Sequence, residues 1–305
     1  MMSNFGRVVK STGSWYKVSV DGEITECRLP GKFRLQKKEV TNPVTVGDFV
    51  KFTIGDDGSG MITEIEERRN YLPRQATHGR RGEQILVANV DRAWVVQSVK
   101  QPKLNLGFID RFLVACEAYE IPAGIIINKS DLANPKAEEF IEDITSLYES
   151  LNYKVCLTSI QKKETINELI NHLKDNLNVF IGPSGVGKTS ILNAIDPKLN
   201  LKTGEVSEYS NKGKHTTTFA SLVPLEIGGY VTDTPGIREF GIVNIEKPEL
   251  SLYFPEMAEP RENCKYYNCT HYHEPDCGVR EAFELGAIDA DRYHNYLSIL
   301  QSLEK

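Results

Sequence analysis

No run of about 18 apolar residues occurs in this 305-residue chain, so no segment reads as a membrane-spanning helix. The opening MMSNFGRVVKSTGSWYKV has no apolar stretch of the kind a secretory signal carries, and a cytoplasmic location is expected. Positive charge is not in excess. Lys and Arg number 36 against 42 Asp and Glu, a net charge of −6, with a pI of about 5.7. That balance excludes a generally basic nucleic-acid coat, though local basic patches remain open because steering depends on charge distribution. Internal repeats and low-complexity segments are absent. What is left is an ordinary globular composition, 40% hydrophobic and 26% charged, and length enough for two or three domains.

Cysteine is scarce but unevenly placed. Cys27, Cys116 and Cys156 stand among apolar neighbours and read as small buried residues. Cys264, Cys269 and Cys277 crowd together with His271 and His273 between them. In a reducing cytoplasm such a cluster points to a metal site before a disulfide framework.

Residues 4 to about 67 are short Val-, Ile-, Thr- and aromatic-rich segments, separated by turn signals such as Asp21-Gly22 and Gly55-Asp56-Asp57-Gly58. This pattern predicts a small β-barrel, with an OB-fold as the leading candidate. From residue 85 strands alternate with helices: ILVANV, RAWVVQSV, FIDRFLVACEAYEI, AGIIIN, KAEEFIEDITSLYESL, YKVCLTS, ETINELINHLKDN and NVFIG. Alternation of this kind predicts a largely parallel α/β sheet. Beyond about 245 come the cysteine cluster and EAFELGAIDADRYHNYLSILQSL, which reads as helical. The expected domains are 1–69, 70–245 and 246–305.

The strongest chemical signal is Gly182-Pro183-Ser184-Gly185-Val186-Gly187-Lys188-Thr189, which fits G-x-x-x-x-G-K-[ST] between a strand and a helix. Glycines let backbone N–H groups close around phosphate oxygens, and the following helix offers its positive end. Lys188 is expected to charge-pair with the β- and γ-phosphates and Thr189 to ligate magnesium. Ser190 is counted with this nucleotide site.

A phosphate loop does not choose the base. Asn128-Lys129-Ser130-Asp131, after AGIII, supplies the choice. The Asp131 carboxylate can accept from guanine N1–H and the exocyclic amino group, whereas adenine would leave it unpaired. The Lys129 stem can lie along the base and Asn128 can brace the loop. Alone, this tetrapeptide could equally be a polar turn with Asp131 near a helix cap. Thr158-Ser159 follows a strand and could reach guanine O6 through its backbone. Asp233-Thr234-Pro235-Gly236 matches the D-x-x-G switch, with Asp233 toward magnesium and Gly236 toward the γ-phosphate. Lys214-His215-Thr216-Thr217-Thr218 lies where the first switch belongs. Thr217 is favoured there as magnesium ligand, although Thr216 and Thr218 stand beside it. The motif order is unusual. Base-reading elements precede the phosphate loop and the switches follow it, so the arrangement is that of a circularly permuted GTPase. All motifs still end strands, which permits one pocket at the strand C-termini.

Cys264-x4-Cys269-x-His271-x5-Cys277 provides three thiolates and one imidazole, a set that suits tetrahedral structural zinc. Spacing alone leaves His273 as a rival fourth ligand.

In combination, the β-rich N-terminus, NVDRAWVVQSV, FIDRFLV, NKSDL, GPSGVGKTS, GKHTTT, DTPGIREFG and CKYYNCTHYHEPDC resemble the RsgA family over nearly the whole chain. The resemblance implies a multi-domain protein: an N-terminal OB-fold β-barrel, a central circularly permuted α/β P-loop GTPase domain and a C-terminal zinc-binding helical domain. It implies one structural zinc held by Cys264, Cys269, His271 and Cys277, and magnesium with GTP at Thr189, Thr217 and Asp233. It further implies binding of the small ribosomal subunit and its rRNA, late maturation of that subunit, and ribosome-stimulated hydrolysis of GTP to GDP. A monomer is expected, with no membrane partner.

Two loops have the basic and aromatic mix that suits RNA: Lys32–Lys38, and Arg68–Arg74 continuing to His78, Arg80 and Arg81. Many GTPases orient the attacking water with a Gln just after D-x-x-G. Here that position is Ile237, which cannot do so. His215 is the candidate in its place, with Lys188 and Thr217 completing the expected catalytic set. Gly185 stands where potassium-activated GTPases place Asn, so no bound potassium is expected. Two other classes compete with this reading: a GTP-gated RNA-binding module in which hydrolysis is secondary, and an ATP-dependent kinase, against which Asp131 speaks.

Overall fold

The structure, a computed structural model, describes residues 4–31, 33, 43–74, 84–201, 221–233 and 245–303. Five strands come first: β1 (Asn4–Ser11), β2 (Trp15–Val20), β3 (Glu23–Arg28), β4 (Phe49–Ile54) and β5 (Gly60–Ile65). They pair in the order β1-β2-β3-β5-β4, and β4 returns to β1. All pairings are antiparallel except β3 with β5. This closed five-strand barrel has OB-fold connectivity. Alternation aims Val8, Tyr16, Val18, Val50, Phe52 and Ile62 inward, where all are at most 3% exposed. The turn between β2 and β3 is Asp21-Gly22, with φ of 49° and 91°. Two positive φ values are what a two-residue hairpin turn matched to strand twist needs.

A two-stranded ribbon, β6 (Tyr71–Arg74) and β7 (Gln84–Ala88), follows the barrel. The ILVA segment thus belongs to this ribbon and not to the main sheet. The barrel's exit is fixed by Asp48, wholly buried, which accepts from Arg68 Nε and Nη2 at 2.7 Å each.

The second sheet runs β10 (Lys154–Leu157), β9 (Ala123–Asn128), β8 (Arg92–Ser98), β11 (Leu177–Ile181), β13 (Tyr230–Asp233) and β12 (Ser221–Pro224). It is parallel except for β12. Its central strands are nearly continuous apolar runs, as strands covered on both faces must be. Helices α1 (Leu106–Ala118) and α2 (Pro135–Ser150) cover one face through Ile109, Phe112, Leu113, Ile141 and Ile144. Helices α3 (Lys163–Leu173) and α4 (Lys188–Ile195) cover the other through Ile166, Leu169, Ile191 and Leu192. One backbone pair, Lys10 with Ser221, joins barrel and α/β sheet into a continuous eleven-stranded surface.

The C-terminal region is a series of short 3-10 helices over 247–263, then the cysteine loop, α5 (Gly278–Glu284) and α6 (Ala290–Ser302). The long helical reading of its last third is therefore two helices. Asp289 ends the continuity by capping α6, its side chain accepting from Arg292 N at 3.1 Å. The core of this region includes Phe254, Met257, Val279, Tyr293, Tyr296 and Ile299, and it takes in Val114 of α1. Helix α1 is thus packed on both sides, by the sheet and by the C-terminal region.

Candidate functional site

Asn128, Thr158 and Gly182 each follow or end a parallel strand, so β9, β10 and β11 deliver three motifs to one edge of the sheet. Asn128 is 3% exposed. Its Nδ2 donates to Val186 O at 2.8 Å, and its Oδ1 accepts from Thr158 Oγ1 at 3.1 Å. A side chain read as a loop brace therefore ties the base-reading loop, the Thr-Ser turn and the phosphate loop together. Lys129, at φ 60°, crosses the phosphate loop. Its ammonium donates to Gly185 O at 2.8 Å and to Gln101 O. Asp131 is exposed, and its Oδ1 accepts from Ser159 Oγ at 2.5 Å. One hydroxyl thus fixes the rotamer of the carboxylate expected to read guanine. Ser130 N donates to Thr158 O at 3.0 Å, which closes the two turns on each other.

The phosphate loop runs from Gly182 to Thr189. Gly187 has φ 96°, and a Cβ there would stand 2.3 Å from Asn128 Nδ2. Only glycine permits that approach. Lys188 donates from Nζ to Gly182 O at 2.7 Å and Pro183 O at 2.8 Å, which curls the cation back over the loop. Val186 is buried, while Ser184 and Gly185 are exposed at the rim. Thr189 and Ser190 follow in the first turn of α4, half-buried.

The structure departs in emphasis at Thr158 and Ser159. Of the two backbone donors there, Thr158 N donates to Ile127 O at 2.9 Å and Ser159 N to Thr165 Oγ1 at 3.0 Å. The described role of Thr158 and Ser159 is to brace Asn128 and Asp131 with their hydroxyls. Asp233 ends β13, paired through its backbone with Ser221. The expected His215, Thr217 and Gly236 lie outside the described residues, as do Thr216, Thr218 and Ile237. So do Lys32, most of the first basic loop, and His78, Arg80 and Arg81. Of the second basic loop, Arg68 is held by buried Asp48, and Arg69 Nη2 donates to Asp91 Oδ1 at 2.7 Å. The Arg68 side chain is 10% exposed and committed to Asp48, whereas that of Arg69 is 60% exposed and keeps an open face. The donors expected for magnesium are two hydroxyls and a carboxylate, the hard oxygens that ion takes. Thr189, beside Lys188, is the one whose side chain is described.

The cysteine cluster assembles. The ligand atoms of Cys264, Cys269, His271 and Cys277 lie within 4.8 Å of one another. Bond lengths of about 2.3 Å to sulfur and about 2.0 Å to nitrogen give tetrahedral edges of roughly 3.8 Å between sulfurs and 3.5 Å from sulfur to nitrogen. The observed separations are 3.9 Å for Cys264 to Cys277, and 3.5 and 3.4 Å from His271 Nδ1 to those two sulfurs. The set fits zinc. His273 is exposed and outside it, so geometry favours His271. Burial pushes the Cys269 thiol up to about 12, lifts that of Cys277, and pushes His271 down to about 4. Uncharged thiols in such a place become thiolates only beside a strong cation. Around the cluster, Arg280 N donates to Cys277 Sγ at 3.5 Å, and Tyr293 and Tyr296 donate to His271 O and Thr270 O at 2.7 and 2.8 Å. The isolated Cys27, Cys116 and Cys156 are buried, as their apolar neighbours imply.

Sequence reasoning missed one group. Asp110 of α1 is fully buried. It accepts from Arg292 Nη1, Tyr148 OH and Asn295 Nδ2, each at 2.6 Å. Arg292 also meets both Glu256 oxygens, at 2.7 and 2.9 Å. Burial works against both charges. Asp110 and Glu256 outweigh it at Arg292 and hold the guanidinium protonated beyond its usual range, whereas burial prevails at Asp110 and raises its carboxyl.

A parallel sheet with a strand–loop–helix phosphate cradle, and a base-reading loop that precedes it in the chain, defines a circularly permuted P-loop GTPase. The comparisons agree. A family model described as RsgA GTPase matches residues 65–243, and one described as RsgA N-terminal domain matches residues 5–62. The chain therefore belongs to the RsgA GTPase family and is a GTP-hydrolysing enzyme. It is 42% identical over 301 residues to the small ribosomal subunit biogenesis GTPase RsgA of Phocaeicola vulgatus, covering 98% of this chain and 97% of that one. The counterpart from Flavobacterium psychrophilum is 41% identical over 300 residues, covering 97% and 92%. Among solved structures, YjeQ from Thermotoga maritima superposes with a TM-score of 0.82 at 36% identity, covering 99% of both chains. YloQ, described as a circularly permuted GTPase, gives 0.78 at 32%, covering 99% and 96%.

Proposed function

We propose that this chain binds the small (30S) ribosomal subunit, assists its late maturation, and hydrolyses GTP to GDP and phosphate in response to that docking. The observation that carries the reading is the convergence of Asn128 and Lys129 on the carbonyls of Val186 and Gly185, which unites a guanine-reading loop with a phosphate loop. The relatives named for small-subunit biogenesis, similar over almost their full length, support the ribosomal part.

In this reading Asp131, oriented by Ser159, accepts from guanine, and the Lys129 stem covers one face of the base. Backbone N–H groups of Gly182–Thr189 cradle the phosphates. Lys188 leaves the Gly182 and Pro183 carbonyls to meet the β- and γ-phosphates. Magnesium, held by Thr189, Thr217 and Asp233, would supply charge neutralisation for the leaving diphosphate. Gly236 N–H would sense the γ-phosphate. Water attacks the γ-phosphorus in line, and the bond to the β–γ bridging oxygen breaks. Because Ile237 cannot orient that water, turnover in isolation is slow, and docking brings His215 against it. Zinc at Cys264, Cys269, His271 and Cys277 is structural. The division into 1–69, 70–245 and 246–305, a monomeric state and a cytoplasmic location belong to the same reading.

The test is single-turnover hydrolysis of GTP by wild type and His215→Ala, with and without purified small subunits. The expected result is stimulation in the wild type and loss of about 10²-fold of it in the variant, the size of a general-base contribution. Stimulated hydrolysis at the wild-type rate in His215→Ala would remove His215 from the mechanism. GTP binding without stimulated turnover would favour a GTP-gated RNA-binding module.

A further inference from the structure

The Lys129 ammonium has two anchors, and the second is not on the phosphate loop. It is Gln101 O, in the segment that joins β8 to α1. That segment is fastened at several points. Val99 N donates to Asn128 O at 3.0 Å, Ser98 Oγ to Pro102 O at 2.8 Å, and Asn105 N to Gln97 Oε1 at 3.3 Å. Asn105 then caps α1 by accepting from Phe108 N at 3.0 Å. Gln101 O is therefore held between the end of β8 and the start of α1.

Where α1 sits is decided partly from the C-terminal region. Its Asp110 is gripped by Arg292 and Asn295, and its Arg111 donates to Ser302 Oγ at 2.9 Å. All three partners lie on α6. The same helix holds the cysteine loop, through Tyr293 on His271 O and Tyr296 on Thr270 O. A helix of 13 residues is a stiff rod about 20 Å long. Charge-assisted hydrogen bonds buried against it are the strong, geometrically exacting kind.

We infer that Asp110, Arg292 and Asn295 are positioning residues for Lys129, so that the seat of α6 sets how long a guanine nucleotide stays bound. The inference rests on the proposed nucleotide site. This route does not pass through the D-x-x-G switch. It runs from the cysteine loop through α6 and α1 to the base-reading lysine, and it is made of rigid, mutually fastened parts. A change in how the C-terminal region packs on α1 shifts Gln101 O and loosens one of the two anchors of Lys129.

The experiment measures release of fluorescent GDP from the full-length chain by stopped flow, in wild type, Asn295→Ala, Lys129→Ala and the double variant. Asn295 is partly exposed, so its truncation leaves the fold, and Asn295→Ser serves if that chain does not purify folded. Asn295→Ala is expected to release GDP about five-fold faster, within the range of measured couplings, with bound zinc and thermal midpoint near wild type. In the Lys129→Ala background the same change is expected to add nothing, because the route ends at that ammonium. A release rate equal to wild type in folded Asn295→Ala or Asn295→Ser, or full additivity with Lys129→Ala, would overturn the inference and leave the nucleotide site standing. Failure of the wild type to bind GDP would overturn both.

Discussion

Asp131 and Ser159 form the smallest unit on which the account depends. The Ser159 hydroxyl at 2.5 Å holds the carboxylate in one rotamer at the open end of the site. Removing the charge should remove guanine recognition. Asp131→Asn is expected to weaken GDP binding by about 30-fold, in line with charged hydrogen bonds of roughly 2 kcal/mol, and to shift preference toward xanthine nucleotides. Competition against fluorescent GDP reads both, and unchanged guanine preference would take the acid out of base reading. At this scale legibility was uneven. Asn128, Lys129 and Lys188 could be read from spacing, because their partners lie in loops whose motifs are themselves recognisable. Asp110 and Arg292 could not, since they are separated by 182 positions and neither sits in a motif. Arg68 shows the same limit. A basic loop residue looks free until the carboxylate that holds it, Asp48, is seen buried beneath it.

Individual elements carry the next set of expectations. The Asp48–Arg68 pair joins the β4 entrance to the exit of the barrel after β5, with side-chain exposures of 0% and 10%. Breaking such a buried pair leaves a lone charge, so Asp48→Ala is expected to destabilise the protein by about 3–5 kcal/mol. Urea unfolding reads this, and a shift below 1 kcal/mol would show that the guanidinium finds water instead. The cysteine loop has little regular structure of its own, and its buried thiols need a cation. Cys269→Ser is expected to lower bound zinc at least about ten-fold and to expose the C-terminal helices to hydrogen exchange, because site and fold form together. Full zinc retention would show that three ligands suffice. The barrel strands were legible from Val, Ile and aromatic alternation between turn signals. The break between α5 and α6 was read through because apolar spacing continues across it, although Gly286 at φ 76° and the Asp289 cap both mark it.

At the scale of the whole molecule, permutation places the base-reading half before the phosphate loop and hands the switch end of the domain to the C-terminal region. Barrel, α/β sheet and C-terminal region then meet around two shared pieces, the β1–β12 junction and helix α1. The order of motifs was legible because each motif is local. The double role of α1 was not, because its sequence shows only a buried helix and not what covers it. Under the proposed function, docking would reach the nucleotide by two routes, one through the chain connection after Asp233 and one through α6 and α1. Both belong to the reading in which the small subunit acts on an enzyme that is slow alone. The direct measurement is GTP turnover by the intact chain titrated with purified small ribosomal subunits, with large subunits as the control. The account predicts a saturable rise of at least about 10²-fold with small subunits and none with large ones. A turnover rate unaltered by saturating small subunits, in a chain that binds GTP, would contradict it.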